Sequence, residues 1–220
     1  MTDFSRRQQI ARSQFRLCCL VCGLLMAVPA DAAGSSGPAE MLSAMTEQVL
    51  QKIRSNPEIL NDEGRTRSLA EKLILPNIDF RAASQWVLGK HWRTASPSQR
   101  EAFTGEFRAL LVNTYLRSLK KYRDNTVRIL PARPGQPQGR AVVDAEVLQA
   151  EGPLIKVVFR LHQPKQNWLV YDIVIEGISL VATRRSEFST EIRNKGLDSL
   201  IADLALVNAS KATTAGETNP

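Results

Sequence analysis

Apolar positions change their spacing along the chain. In AEMLSAMTEQVLQKIRS (39–55), Leu42, Met45, Val49 and Ile53 recur every three or four residues, which puts them on one face of a helix that must stop near Asn56-Pro57. RTRSLAEKLIL (65–75) repeats the pattern through Leu69, Leu73 and Ile74 and ends at Pro76. Asp79 can cap a third helix, DFRAASQWVL (79–88), which stops at Gly89. Ser96-Pro97-Ser98-Gln99 combines a capping box with proline at the first helical position, and the helix it starts is expected to run to Tyr122. Such a helix would be roughly 39 Å long at about 1.5 Å per residue. Phe103, Phe107, Leu110, Leu111, Thr114 and Tyr115 line one side of it, so it needs a broad apolar partner.

Beyond residue 125 the spacing falls to two. TVRIL (126–130), RAVVDAEVLQA (140–150), PLIKVVFRLH (153–162) and NWLVYDIVIEG (167–177) are separated by turn signals and predict consecutive antiparallel strands. Ala141, Val143, Ala145 and Val147 form a face of small side chains on the second strand. Set against Ile155, Val157, Phe159 and Leu161 of the third and Tyr171, Ile173 and Ile175 of the fourth, they would leave space. Helical spacing returns in EFSTEIRN (187–194), ending at Gly196, and in LDSLIADLALV (197–207). The polar stretch 208–220 is expected to be a disordered tail. Helices covering one face of an antiparallel sheet of about four strands define an α+β fold.

Residues 1–32 stand apart. Arg6, Arg7, Arg12 and Arg16 lead into an apolar run, 17–28, followed by the small-x-small Ala30-Asp31-Ala32, the form of a cleaved secretory signal. The run is shorter than the roughly 20 residues a membrane span needs. Export to the periplasm is therefore expected, with residues 33–207 as one domain. Cys18, Cys19 and Cys22 all fall inside the signal, so the remainder has no thiol for a disulfide, a nucleophile or a metal. It carries 25 basic against 20 acidic residues, a net +5 that permits transient approach to anionic membranes. No aromatic-basic ladder points to nucleic acid.

Catalytic chemistry is not visible. His91 and His162 are isolated, EGISL (176–180) lacks the second glycine of a nucleophile elbow, and no metal-ligand spacing occurs. Asp172 and Glu176 lie four strand residues apart, roughly 13 Å, too far for a glycosidase pair. They are expected to share a face with Val170 and Val174. We read them, with Gly177 as the chain reversal and Arg184 and Arg185 as partners, as pins between the fourth strand and the following helix. Trp86 and Trp92 bracket Gly89, either as core or at a cavity mouth.

LGKHWRTASPSQREAF (88–103), YDIVIEGISL (171–180) with RSEF (185–188), and GLDSLIADL (196–204) together resemble the MlaC family of periplasmic phospholipid carriers, also called the toluene-tolerance family. The resemblance spans nearly the whole of the chain after the signal. It implies a curved sheet covered by helices around an apolar lipid pocket, phospholipid as cargo, and no cofactor, metal or catalytic residue. It also implies shuttling between an outer-membrane lipoprotein–porin complex and an inner-membrane ABC transporter complex, which maintains outer-membrane lipid asymmetry. A hopanoid-associated branch of the family and a lipid-free periplasmic adaptor are the alternatives. Under the carrier reading the pocket is expected to be lined by Trp86, Trp92, Phe103, Phe107, Leu110, Leu111, Tyr115, Val143, Val147, Val157, Phe159, Tyr171, Ile173 and Ile175.

Overall fold

The computed structural model describes residues 37–116, 125–149 and 151–216. The segment 1–32 and its cleavage site lie outside them. Helix α1, Pro38–Ser55, begins with proline in its first turn and buries Leu42, Val49 and Ile53. Pro57 then opens a short 3₁₀ turn, Pro57–Asn61. Helix α2, Glu63–Leu73, is capped by Asp62, whose carboxylate accepts from the Arg65 amide at 2.8 Å. Val49 and Ile53 pack with Leu60 and Leu69 into a small core joining α1, the turn and α2.

Asp79 caps α3, Phe80–Leu88, accepting from the Ala82 amide at 2.8 Å. Gly89 ends it with φ +54, and a Cβ there would come within 2.9 Å of the Arg185 guanidinium. Helix α4, Lys90–Thr94, is one short turn. Helix α5, Pro97–Tyr115, starts with the expected capping box: Ser96 Oγ accepts from the Gln99 amide at 3.1 Å and Gln99 Oε1 from the Ser96 amide at 2.9 Å. The expected continuation to Tyr122 falls on 117–124, outside the described residues.

The apolar side of α5 finds helices, not the sheet. Phe103 and Phe107 stack at 5.7 Å, and Phe188 of α6, Leu180–Lys195, meets their edges at 5.9 and 6.2 Å. Val87, Leu88 and Trp92, with Leu200 and Leu204 of α7, Leu197–Gly216, complete this core. Helix α7 runs past the point where a disordered tail was expected. The Asn208 side-chain amide donates to the Glu106 carbonyl at 3.0 Å and to its carboxylate at 2.7 Å, and accepts from Asn113 at 3.4 Å. These bonds hold a polar sequence helical where its apolar periodicity has ended.

Strands β1 (Thr126–Ile129), β2 (Arg133–Pro134), β3 (Arg140–Leu148), β4 (Ile155–His162), β5 (Leu169–Ile175) and β6 (Ile178–Ser179) form one antiparallel sheet in the order β1-β3-β4-β5-β6, with β2 also on β3. The α+β expectation holds. The two-residue strands β2 and β6 carry no readable alternation and were not expected. One sheet face bears cross-strand ion pairs: Arg128–Glu146, Arg133–Asp144 at 2.6 Å and Arg160–Asp172 at 3.0 Å. The other is apolar, and Leu42 of α1 covers Val143, Leu161 and Val170 there.

The β4–β5 register breaks once: Arg160 faces Asp172 but Leu161 faces Val170, leaving Tyr171 as the extra residue of a bulge. Alternation from Asp172 places Val170 on the charged face. The bulge reverses that and sends Val170 into the apolar cluster with Val143.

Candidate functional site

Strand pairing sets two rows across the apolar face. Val143 faces Phe159, which faces Ile173, and Ala145 faces Val157, which faces Ile175. Val143 and Ala145 are buried, at 0% and 2% exposure, whereas Val157, Phe159, Ile173 and Ile175 are all only half-buried. Phe159 and Ile173 pack against the Val143 cluster, so the row loses its cover gradually from β3 toward β5. At the β1 edge the same face continues. Val127 faces Val147 and Ile129 faces Ala145, and these two β1 residues floor a cleft of about 650 Å³ under α1. The cleft is open to solvent, and most of its lining is polar: Ser43, Thr46, Glu47, Gln51, Arg54 and Thr126 among them.

The residues expected to line one pocket fall into separate places. Phe103, Phe107, Leu110 and Trp92 belong to the helical core, with Leu111 packed against it. Tyr115 is half-buried on the last turn of α5. Val143, Phe159 and Ile173 come together on the sheet, and Val147, Val157 and Ile175 adjoin them by pairing. The helix over the small-residue strand is α1, because Leu42, Met41 and Met45 supply the apolar contacts while α5 spends its apolar side on α3 and α7. Trp86 is 41% exposed and stacks on Tyr171 at 5.9 Å, with the Arg140 guanidinium 5.3 and 5.5 Å from the two rings. The α1–β1 cleft was not anticipated. A signal was present in the polar stripe Ser43, Thr46, Glu47, Gln51 and Arg54, beside the apolar stripe used to predict α1.

Asp172 is a structural anchor, but not through the expected arginines. It is 4% exposed; one oxygen accepts from Arg160 at 3.0 Å and from the Ser179 hydroxyl at 2.8 Å, the other from the Val181 amide at 3.2 Å. Ser179 Oγ in turn accepts from the Ala182 amide at 3.0 Å, so the carboxylate reinforces the cap of α6. Arg184 pairs with Glu187 at 2.6 Å on its own helix, and Arg185 lies over Gly89. Both were displaced as partners because Arg160, directly across the ladder, is already in register. Glu176, φ +49, and Gly177, φ +81, make the two-residue turn between β5 and β6, and the Glu176 carboxylate accepts from the Lys156 amide.

His162 Nε2 lies 2.9 Å from the Asp79 carboxylate, whose other oxygen caps α3, so the pair ties that helix start to β4. His91 Nε2 is buried without a hydrogen-bond partner, and burial, with Lys90 and Arg193 nearby, lowers its pKa. Among the described residues no group of three or more His, Cys, Asp or Glu side chains is placed to hold a metal, and no helix is long and apolar enough to cross a membrane.

These features define a class: an α+β protein whose antiparallel sheet keeps an apolar face incompletely covered by helices. The chain belongs to the MlaC family, whose model, described as MlaC protein, matches residues 43–206. It is 23% identical over 181 residues, covering 80% of this chain and 85% of the relative, to the intermembrane phospholipid transport system binding protein MlaC of Haemophilus influenzae. It is also 23% identical over 177 residues, covering 80% and 82%, to the toluene tolerance protein ttg2D of Pseudomonas putida. A phospholipid-binding protein of Ralstonia solanacearum, solved in complex with a phospholipid, superposes with a TM-score of 0.73 at 27% identity over 80% of this chain and 99% of that one.

Proposed function

We propose that the protein is a periplasmic phospholipid carrier, exported by the signal in residues 1–32, that holds acyl chains against the open part of its sheet. Val157, Phe159, Ile173 and Ile175, paired across β4 and β5 and only half-buried, are the observation that carries this reading. At about 0.8 kcal/mol per methylene, a 16-carbon chain costs roughly 12 kcal/mol to expose to water, so a carrier must offer it apolar surface of this kind. The names of the relatives and the phospholipid bound by the Ralstonia protein support the same cargo. In this reading the protein shuttles lipid between an outer-membrane lipoprotein–porin complex and an inner-membrane ABC transporter complex, maintains outer-membrane asymmetry and catalyses no bond change. The unsealed patch counts against the lipid-free adaptor, which requires a filled core.

Mass spectrometry of organic extracts of the purified protein, against a mock purification, tests it. Stoichiometric phospholipid is the expected result, and hopanoid in its place would change the cargo. A clean extract that stays clean after incubation with liposomes would leave the adaptor as the better account.

A further inference from the structure

Of the four arginines on the strands, three are matched across the charged face of the sheet: Arg128 by Glu146, Arg133 by Asp144 and Arg160 by Asp172. Arg140 is the fourth. Its cross-strand neighbour is His162, and among the described residues no carboxylate lies within ion-pair distance of it. Aromatic rings hold it instead. Its guanidinium lies 5.3 Å from the Trp86 ring and 5.5 Å from the Tyr171 ring, and the two rings stack at 5.9 Å. Tyr171 reaches Arg140 as the extra residue of the β5 bulge, a distortion common beside functional sites. The cluster is fixed from behind: His162 meets the Tyr171 ring edge-on at 5.6 Å, and its Nε2 lies 2.9 Å from Asp79, the cap of α3. The Gly135 amide donates to the Arg140 carbonyl at 2.9 Å and pins the start of β3. Trp86 nevertheless remains 41% exposed. Tryptophan, tyrosine and arginine are the residue types that dominate the energetics of protein–protein interfaces. A guanidinium held by rings and not by a carboxylate keeps its N–H fork free, and a fork fixed beforehand loses little freedom when an anion arrives.

We infer that Trp86, Tyr171 and Arg140 form a docking hot spot for an acidic segment of another protein, in which a partner carboxylate takes the Arg140 fork and apolar partner surface covers Trp86. An anionic membrane fits less well. Lipid surfaces are drawn by the summed charge of several cations, lysine and arginine alike, and Glu146, Asp144 and Asp172 already neutralise the other arginines of this face. A second copy of the chain also fits less well, because 25 basic against 20 acidic residues after the signal make two copies repel. The inference does not depend on the cargo, since a shuttling lipid carrier and a lipid-free adaptor both need such a face.

The test places a photo-crosslinking amino acid at Gln85, the exposed neighbour of Trp86 on α3, in the full-length protein in intact cells, and identifies the adducts by mass spectrometry. The expected adduct is a peptide of another protein that contains Asp or Glu. Its yield should fall about tenfold in Arg140→Glu and less in Arg140→Lys, which keeps the charge but loses the fork. It should recover when the partner's carboxylate residue is changed to lysine in the Arg140→Glu background. Arg140→Gln, which adds no charge beside His162 and Asp79, repeats the test if circular dichroism shows Arg140→Glu misfolded. Lipid co-purifying with these variants should match wild type, so lost docking reads separately from lost cargo. No adduct in wild type, a yield that Arg140→Glu and Arg140→Gln leave unchanged, or a charge swap that restores nothing overturns the hot spot. So does an adduct to lipid alone, which would make the patch a membrane contact, or to a second copy of this chain. If wild type carries no lipid while the charge swap restores the adduct, the docking face stands and the carrier reading falls.

Discussion

The molecule has two apolar regions built on opposite terms. In the helical one, Phe103, Phe107 and Phe188 are at most 5% exposed and interlock as a stack with two edge contacts. In the sheet, the β3 row is as well buried, but its neighbours on β4 and β5 are not. Burial stabilises by about 25 cal/mol per Å² of apolar surface, so the unsealed rows forgo stability that the helical region supplies. The contrast suggests a division of labour under the proposed function: the packed core of α3 to α7 holds the fold, and the sheet keeps the surface on which the proposed acyl chains would lie.

The division breaks most severely if the sealed side is opened. Phe107→Ala removes a ring that touches two others, and should cost about 3–5 kcal/mol in urea unfolding of the lipid-free protein. A loss under about 1 kcal/mol would show that this core is not the stabilising half. Next comes the buried end of the sheet. Val143, at 0% exposure against Leu42, Leu161 and Val170, has no room for a larger ring, so Val143→Trp should destabilise by about 1–3 kcal/mol through overpacking. It therefore reports on packing and not on lipid entry.

A smaller effect is a pH dependence within the helical region. Burial first, and then the nearby Lys90 and Arg193 charges, hold the pKa of His91 below the ordinary histidine value of about 6.5. The unfolded chain then binds the proton more readily, so stability should be full above about pH 6.5 and fall as pH drops through the lowered value. His91→Gln should flatten that part of the stability profile measured between pH 7.5 and 5. An unchanged slope would place the titration elsewhere.

Much of this arrangement was legible in the chain. The capping box at Ser96, the Asp79 cap and the four longer strands follow from local chemistry, which the structure reproduces because nothing distant competes with it. Asp172 was readable as a pin because a carboxylate in an apolar strand must find donors. Its donors were not readable, since the choice of Arg160 over Arg184 and Arg185 depends on strand register. Nor was the partner of α5. Periodicity shows that a helix has an apolar side, not which element receives it, and both the sheet and α7 could have done so. The bulge at Tyr171 is hidden for the same reason: alternation is unbroken in the sequence, and only the pairing with β4 shows the extra residue.

The finest test separates the two regions without disturbing either. Val157 sits between Ala145 and Ile175, so its own row offers a small neighbour on one side and open apolar surface on the other. Val157→Trp can lay its ring over that surface in place of a ligand. Its stability should change by less than about 0.5 kcal/mol, because a half-buried position imposes little strain and gains some burial. Co-purifying lipid should nevertheless fall several-fold, since the ring occupies the surface that acyl chains need. Stability and lipid content would then respond in opposite proportion at Phe107 and at Val157, which a single continuous core cannot produce. If Val157→Trp keeps its full lipid load, the chains do not cross β4 and β5, and the half-buried rows do not carry the cargo.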